Sequence, residues 1–122
     1  MSEKINGYDY DWANSENIVL CGASSYVQKY YFNEKFNLLP EEIKNELKIM
    51  CVSFAEEAGG ILTLEFDNSG DLKLCVRVDD GDFYFDEIES GLKISSYQRK
   101  KEELLSQLEL FYRMIILGEH VE

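Results

Sequence analysis

The sequence predicts an α+β domain, an antiparallel sheet of about five strands with two helices in the order β-β-α-β-β-β-α. Three observations predict it. Leu62, Leu64 and Phe66 alternate with Thr63 and Glu65, and Leu72, Leu74, Val76 and Val78 alternate with Lys73, Cys75 and Arg77. That period of two on either side of Asp67-Asn68-Ser69-Gly70 is the mark of a half-buried antiparallel hairpin, one face on a core and one in water. Ile43, Leu47, Met50, Phe54 and Ala58 make one helical stripe, and Tyr97, Leu104, Leu108, Phe111 and Ile115 make a second.

Taken in order, residues 1–17 are polar, with Tyr8, Tyr10 and Trp12 alternating with Asp9 and Asp11, and read as an N-terminal tail or edge segment. The remainder, 18–122, reads as a single domain, because one Pro and no Ser/Gly-rich run leave no place for a linker. Ile18-Val19-Leu20-Cys21, closed by Gly22, is a first strand; the β-formers from Tyr26 to Phe32 make a second. Pro40 suits the first turn of a helix and Glu41 and Glu42 complement its dipole, while Gly59-Gly60 ends it. Asp79-Asp80-Gly81-Asp82 is a turn, Phe83-Tyr84-Phe85 a third strand of the meander, and Glu89-Ser90-Gly91 a break. One long helix then runs from Ser95 to Leu117 and stops at Gly118, with 119–122 as a frayed tail. Short connections make the strands antiparallel. The element order is that of roadblock, longin and profilin-like scaffolds, an analogy of fold that carries no function.

Composition narrows the function classes. The 122 residues suffice for one core, and 45% apolar content is far from a disordered profile. A net charge of −12 repels nucleic-acid phosphates and anionic lipid, so neither nucleic acid nor membrane is expected as a partner. No stretch approaches the ~20 apolar residues of a membrane span, and the N-terminus lacks the apolar core of a signal peptide. Cys21, Cys51 and Cys75 are odd in number and set among apolar residues, reading as buried hydrophobes of a reducing cytoplasm.

No catalytic signature emerges. His120 is the only histidine, and with the three separated cysteines it offers no zinc-site pair. Six carboxylates between Asp79 and Glu89 resemble a cation loop, but Phe85 stands where an EF-hand needs glycine, so no metal and no cofactor is assigned. Glu56, Glu57, Glu65 and Glu87 are the candidates for paired carboxylates, and nothing in the pattern converges two of them. Arg99-Lys100-Lys101 places three cations in the first turns of the long helix, against its dipole, and intramolecular pairing with the acidic strand region is the cheaper account.

Val19-Leu20-Cys21-Gly22-Ala23-Ser24-Ser25-Tyr26, Lys29-Tyr30-Tyr31-Phe32-Asn33, Leu39-Pro40, Gly59-Gly60-Ile61-Leu62-Thr63-Leu64, Asp86-Glu87-Ile88 and Glu102-Glu103-Leu104-Leu105 together resemble a family of small proteins from anaerobic Firmicutes, of the clostridial and Lachnospiraceae type. The family has no assigned activity, so the resemblance implies a bacterial cytoplasmic protein and one unit over 18–117, with no catalytic residue.

The expected function is a non-enzymatic interaction module, an adaptor or regulatory subunit. The apolar surplus at 49–55 and 110–117 predicts a homodimer or a protein partner. Tyr31, Phe32, Phe111, Tyr112 and Ile115 are the expected interface. The alternative is a small-molecule site between helix 40–58 and the sheet, lined by Tyr26, Tyr30 and Glu56.

Overall fold

A computed structural model describes residues 2–5, 12 and 16–118. It shows an α+β fold whose central sheet has four antiparallel strands: β2 (Ile18–Ser24), β3 (Lys29–Phe32), β4 (Ile61–Phe66) and β5 (Leu72–Asp79). A short strand at the start of the chain, β1 (Ser2–Ile5), adds to β5 in parallel, giving the order β1-β5-β4-β2-β3. Tyr8, Tyr10 and the tail at 119–122 lie outside the described residues.

The first helix, α1 (Glu41–Ala58), forms where the stripe of apolar residues requires it, with Pro40 at its N-terminal boundary. Gly59 and Gly60 take φ of +78° and +79°, a conformation that lets the chain turn straight into β4. Leu47, Met50, Cys51, Phe54 and Ala55 of this helix are buried against Ala23, Leu62, Leu64 and Val76 of the sheet.

Three sequence expectations are corrected. The fifth strand is not 83–85, which is irregular, with Phe83 and Tyr84 exposed. Successive aspartates turn the chain there. Asp79 Oδ1 accepts from Gly81 N and Asp82 Oδ1 accepts from Tyr84 N. Such local bonds offer the backbone an alternative to a strand ladder. Asp86 Oδ1 then accepts from Ile88 N and Glu89 N. That cap starts helix α2 (Glu87–Lys100) before the expected break, and Gly91 sits inside it.

The long second helix is therefore not continuous from 95 to 117. It divides at Lys101, with φ −111° and ψ 17°, into α2 and α3 (Glu102–Phe111), which ends in a wide π turn at Tyr112–Ile116. Arg99 and Lys100 consequently close α2, where the dipole favours cations, and Lys101 pairs with Glu46 of α1 at 3.2 Å rather than with the acidic 79–89 stretch. The segment after the division packs inward: Tyr112 stacks on Phe66 at 4.1 Å and 7°, and Phe36 stacks on both.

The third correction concerns the hairpin. All six residues of β4 are buried, so this strand has no water face. Gly22 continues β2 instead of ending it, and the position requires glycine because a Cβ there would stand 2.5 Å from both the Leu62 carbonyl oxygen and the Trp12 ring. The Trp12 indole therefore lies against the sheet on the face away from the helices, stacked on Tyr31 at 5.4 Å. Gly22→Ala is expected to destabilise the fold by about 1–3 kcal/mol through this overpacking, read as a lowered urea midpoint at unchanged slope.

Candidate functional site

A groove of about 850 Å³ runs between the C-terminal half of α1 and the start of β3. Ala23, Tyr30, Val52 and Ala55 contribute its apolar part, and Ser24, Ser25, Gln28, Lys29, Lys48 and Glu56 its polar rim. Two local devices hold it open. Ser25 N–H donates to the Gly60 carbonyl at 2.9 Å, tying the β2–β3 turn to the end of α1. Gln28 closes the turn at φ +51°, a left-handed conformation uncommon for a side-chain-bearing residue.

Two of the three ligand residues expected from sequence, Tyr30 and Glu56, line this groove. Tyr26 does not. Its hydroxyl donates to Asp82 Oδ2 at 2.8 Å and accepts from Asp79 N at 2.9 Å, fastening the β2–β3 turn to the loop after β5. Burial, with the nearby Asp82 and Asp79 carboxylates, pushes the Tyr26 hydroxyl up to about 12. The Tyr30 hydroxyl is buried and closes no hydrogen bond of normal length among the described residues. Burial drives its pKa far above the ordinary phenol value, and the Cys21 and Cys51 thiols beside it add to the shift. The two sulfurs lie 3.8 Å apart, and their hydrogen bond, then burial, raises Cys51 well above the usual thiol range. The Tyr30 hydroxyl and the Cys51 thiol are thus held in their neutral forms at physiological pH.

The charge of the groove is set by α1. Lys48 Nζ stands 6.0 Å over the Tyr30 ring and Lys44 Nζ 5.8 Å over the Phe32 ring. Cation–π contacts at such exposed sites are worth about 0.5–1 kcal/mol each. With Lys29 they make a basic edge on a chain of net charge −12.

The expected interface residues are dispersed. Tyr31 faces Trp12, Phe32 lies half-buried under Lys44, and Phe111 is half-buried against Phe36. Tyr112 belongs to the core, and Ile115 stands in solvent. Exposed apolar side chains do occur within the expected spans, at Ile49 on α1 and at Leu110 and Met114 to Leu117 at the C-terminal end, while most of 50–55 is buried and Phe83, Tyr84, Ile88 and Leu92 add exposed apolar surface that was not expected.

Sequence reasoning missed a second constellation as a unit. On the sheet face beneath Trp12, Arg77 Nη1 donates to Glu65 Oε2 at 2.7 Å and to Thr63 Oγ1 at 2.8 Å, and Thr63 donates in turn to Glu65. Asn17 Nδ2 donates to the other Glu65 oxygen at 3.3 Å. Both carboxylate oxygens are thus engaged, and Glu65 is fully buried. The signal was present in the alternation, since Thr63, Glu65 and Arg77 share one sheet face. Nothing local said that the face is covered. Within the acidic 79–89 stretch, Asp79 and Asp82 bond the turns and Asp86 caps α2. Among the described residues no three His, Cys, Asp or Glu side chains cluster closely enough to hold a metal ion.

A family profile described as a family of unknown function, DUF6145, matches residues 17–120. The chain belongs to that family. The matched DUF6145 region holds all of β2 to the π turn, including every residue of the groove, and begins after Trp12 and β1. No curated protein and no solved structure matches the chain. Among the described residues of this DUF6145 member no helix is long and apolar enough to cross a membrane.

The raised Tyr26 pKa makes a pH prediction. A phenol whose folded pKa lies above its unfolded value of about 10 stabilises the fold fully below pH 10, and that contribution is lost as pH rises through the folded value. Tyr26→Phe is expected to cost about 1 kcal/mol at neutral pH. The gap between it and the wild type should close between about pH 10 and pH 12, read as urea midpoints across that range.

Proposed function

We propose that this chain is a non-enzymatic interaction module of the bacterial cytoplasm, an adaptor or regulatory subunit whose working surface is the groove between α1 and β3. The observation that carries the reading is that Lys29 and Lys48, with the carboxylate of Glu56, rim an apolar floor on an otherwise strongly acidic molecule, and that Lys44, paired with Glu41 at 3.5 Å, continues the line of cations along α1. A surface of that sign stands against the net field of the chain and selects an anionic occupant. The groups around it support binding rather than turnover. Tyr30, held neutral by burial, brings no activated acid or base to the floor.

A second reading concerns self-association. Leu110, Met114 and Leu117 recur at helical spacing on the exposed side of the last helical turns, beside Ile115 and Ile116. A stripe of this kind suits a two-fold homodimer, in which the same patch meets itself.

Site-specific photo-crosslinking in the producing cell separates these surfaces. A crosslinker at Lys48 should yield a discrete adduct that Val52→Trp, which fills the groove, abolishes. A crosslinker at Ile115 should yield a species at twice the 14.2 kDa chain mass. Adducts at Leu92 or Tyr84 with none at Lys48 would contradict the assignment of the groove.

A further inference from the structure

The sheet ends at β3. This strand pairs with β2 alone among the described residues, so its outer side presents main-chain groups without a ladder partner. Their identity follows from the register. Asn33 N–H donates to the Leu20 carbonyl at 2.9 Å. Antiparallel pairing alternates, so Tyr31 and Lys29 also turn their main-chain groups toward Gly22 and Ser24 of β2. Tyr30 and Phe32 turn theirs outward.

The flank of α1 is matched to that edge. Lys48 lies over Tyr30 and Lys44 over Phe32, so four residues along the helix correspond to two along the strand. Four helical residues rise about 6 Å and two strand residues about 6.6 Å. Helix and edge strand therefore run side by side in opposite directions, so cations of α1 and outward main-chain groups of β3 recur in step along the edge.

We infer that the groove takes an extended acidic peptide segment of a partner protein, added to β3 as a further strand. The inference rests on the groove being the working surface and names its occupant. Main-chain bonds to Tyr30 and Phe32 hold the segment, as in other cases of strand addition. Alternate side chains point toward α1, where Val52 and Ala55 receive an apolar residue, Lys48 receives a carboxylate, and Lys44 receives a second in exchange for its exposed contact with Glu41. A second copy of this chain fits the edge poorly. Two copies would bring Lys29, Lys44 and Lys48 against their own equivalents, and each copy carries a net charge of −12. A compact anion satisfies the lysines but leaves the outward main-chain groups of Tyr30 and Phe32 unused.

The test is selection of displayed random peptides of about eight residues, long enough to span the edge strand, on the purified full chain. The expected winners carry Asp or Glu interleaved with apolar residues at period two. Lys44→Glu together with Lys48→Glu, both surface changes, should weaken a synthetic winner about tenfold or more. N-methylation of its alternate amides should weaken binding about tenfold in one register and leave it unchanged in the other. Failure to enrich any acidic peptide, equal binding by the double variant, or indifference to N-methylation in both registers would overturn the inference. If citrate alone shifts the amide resonances of Lys29, Tyr30 and Lys48 while peptides do not, the peptide is excluded and the groove stands as an anion site. If neither peptide nor citrate perturbs them, the groove assignment falls as well.

Discussion

The fold depends on the covering of β4 from both sides. A strand with no water face must find partners for everything it carries, and β4 carries Thr63 and Glu65 as well as Ile61, Leu62, Leu64 and Phe66. On the helix side the answer is apolar packing, with Phe54 and Leu47 of α1 and the stacked Phe66–Tyr112–Phe36 group. On the other side it is polar. Arg77 and Thr63 engage one carboxylate oxygen of Glu65, Asn17 the other, and Trp12 lies on the sheet at Gly22. A buried charge pair adds little net stability when complete, but removing one partner leaves a charge uncompensated at a cost of about 3–5 kcal/mol. The network therefore ties β5 to the far face of β4 and is costly to break at any one member.

That constraint places the outer elements. With β4 central, β2 and β5 flank it, and the two edges fall to β1 and β3. Helix α1 must cross the β2–β4 side of the sheet to bury Leu47, Cys51 and Phe54, and its remaining flank, Lys44, Lys48 and Val52, then hangs beside β3. The groove is a consequence of core packing on one side of α1 and an unfilled sheet edge on the other. Its basic rim gains weight from its setting. On a neutral protein three lysines beside an edge would be ordinary protection against aggregation; on a chain of net charge −12 a local run of cations stands against the overall balance.

Much of this was legible in the chain, and the failures have physical causes. The α1 stripe, Pro40, Gly59-Gly60 and the hairpin follow from local periodicity and turn chemistry, and they located Tyr30 and Glu56 beside the groove. Tyr26 was misplaced because its partners, Asp79 and Asp82, lie more than fifty positions away, with sequence separations of 53 and 56. Phe83-Tyr84-Phe85 has strand composition, yet aspartate side chains outcompete the ladder there. Thr63 and Glu65 read as a solvent face because polarity in a strand says water unless something distant covers it, and here Arg77 and Asn17 reach over to bond them. Phe111 and Tyr112 were expected at an interface, and the structure sets them against Phe36 and Phe66, contacts between distant segments that the hydrophobic pattern does not mark.

Native-state amide hydrogen exchange tests the account most directly, since it reads the closed centre and the open edge in one experiment. The amides of Leu62 and Leu64 should exchange only through global unfolding. Those of Tyr30 and Phe32 should exchange orders of magnitude faster in the free protein, while Tyr31, bonded to β2, remains protected. Equal protection of Tyr30, Tyr31 and Phe32 would mean that the edge is already paired, and fast exchange at Leu64 would mean that β4 is not the centre on which the fold rests.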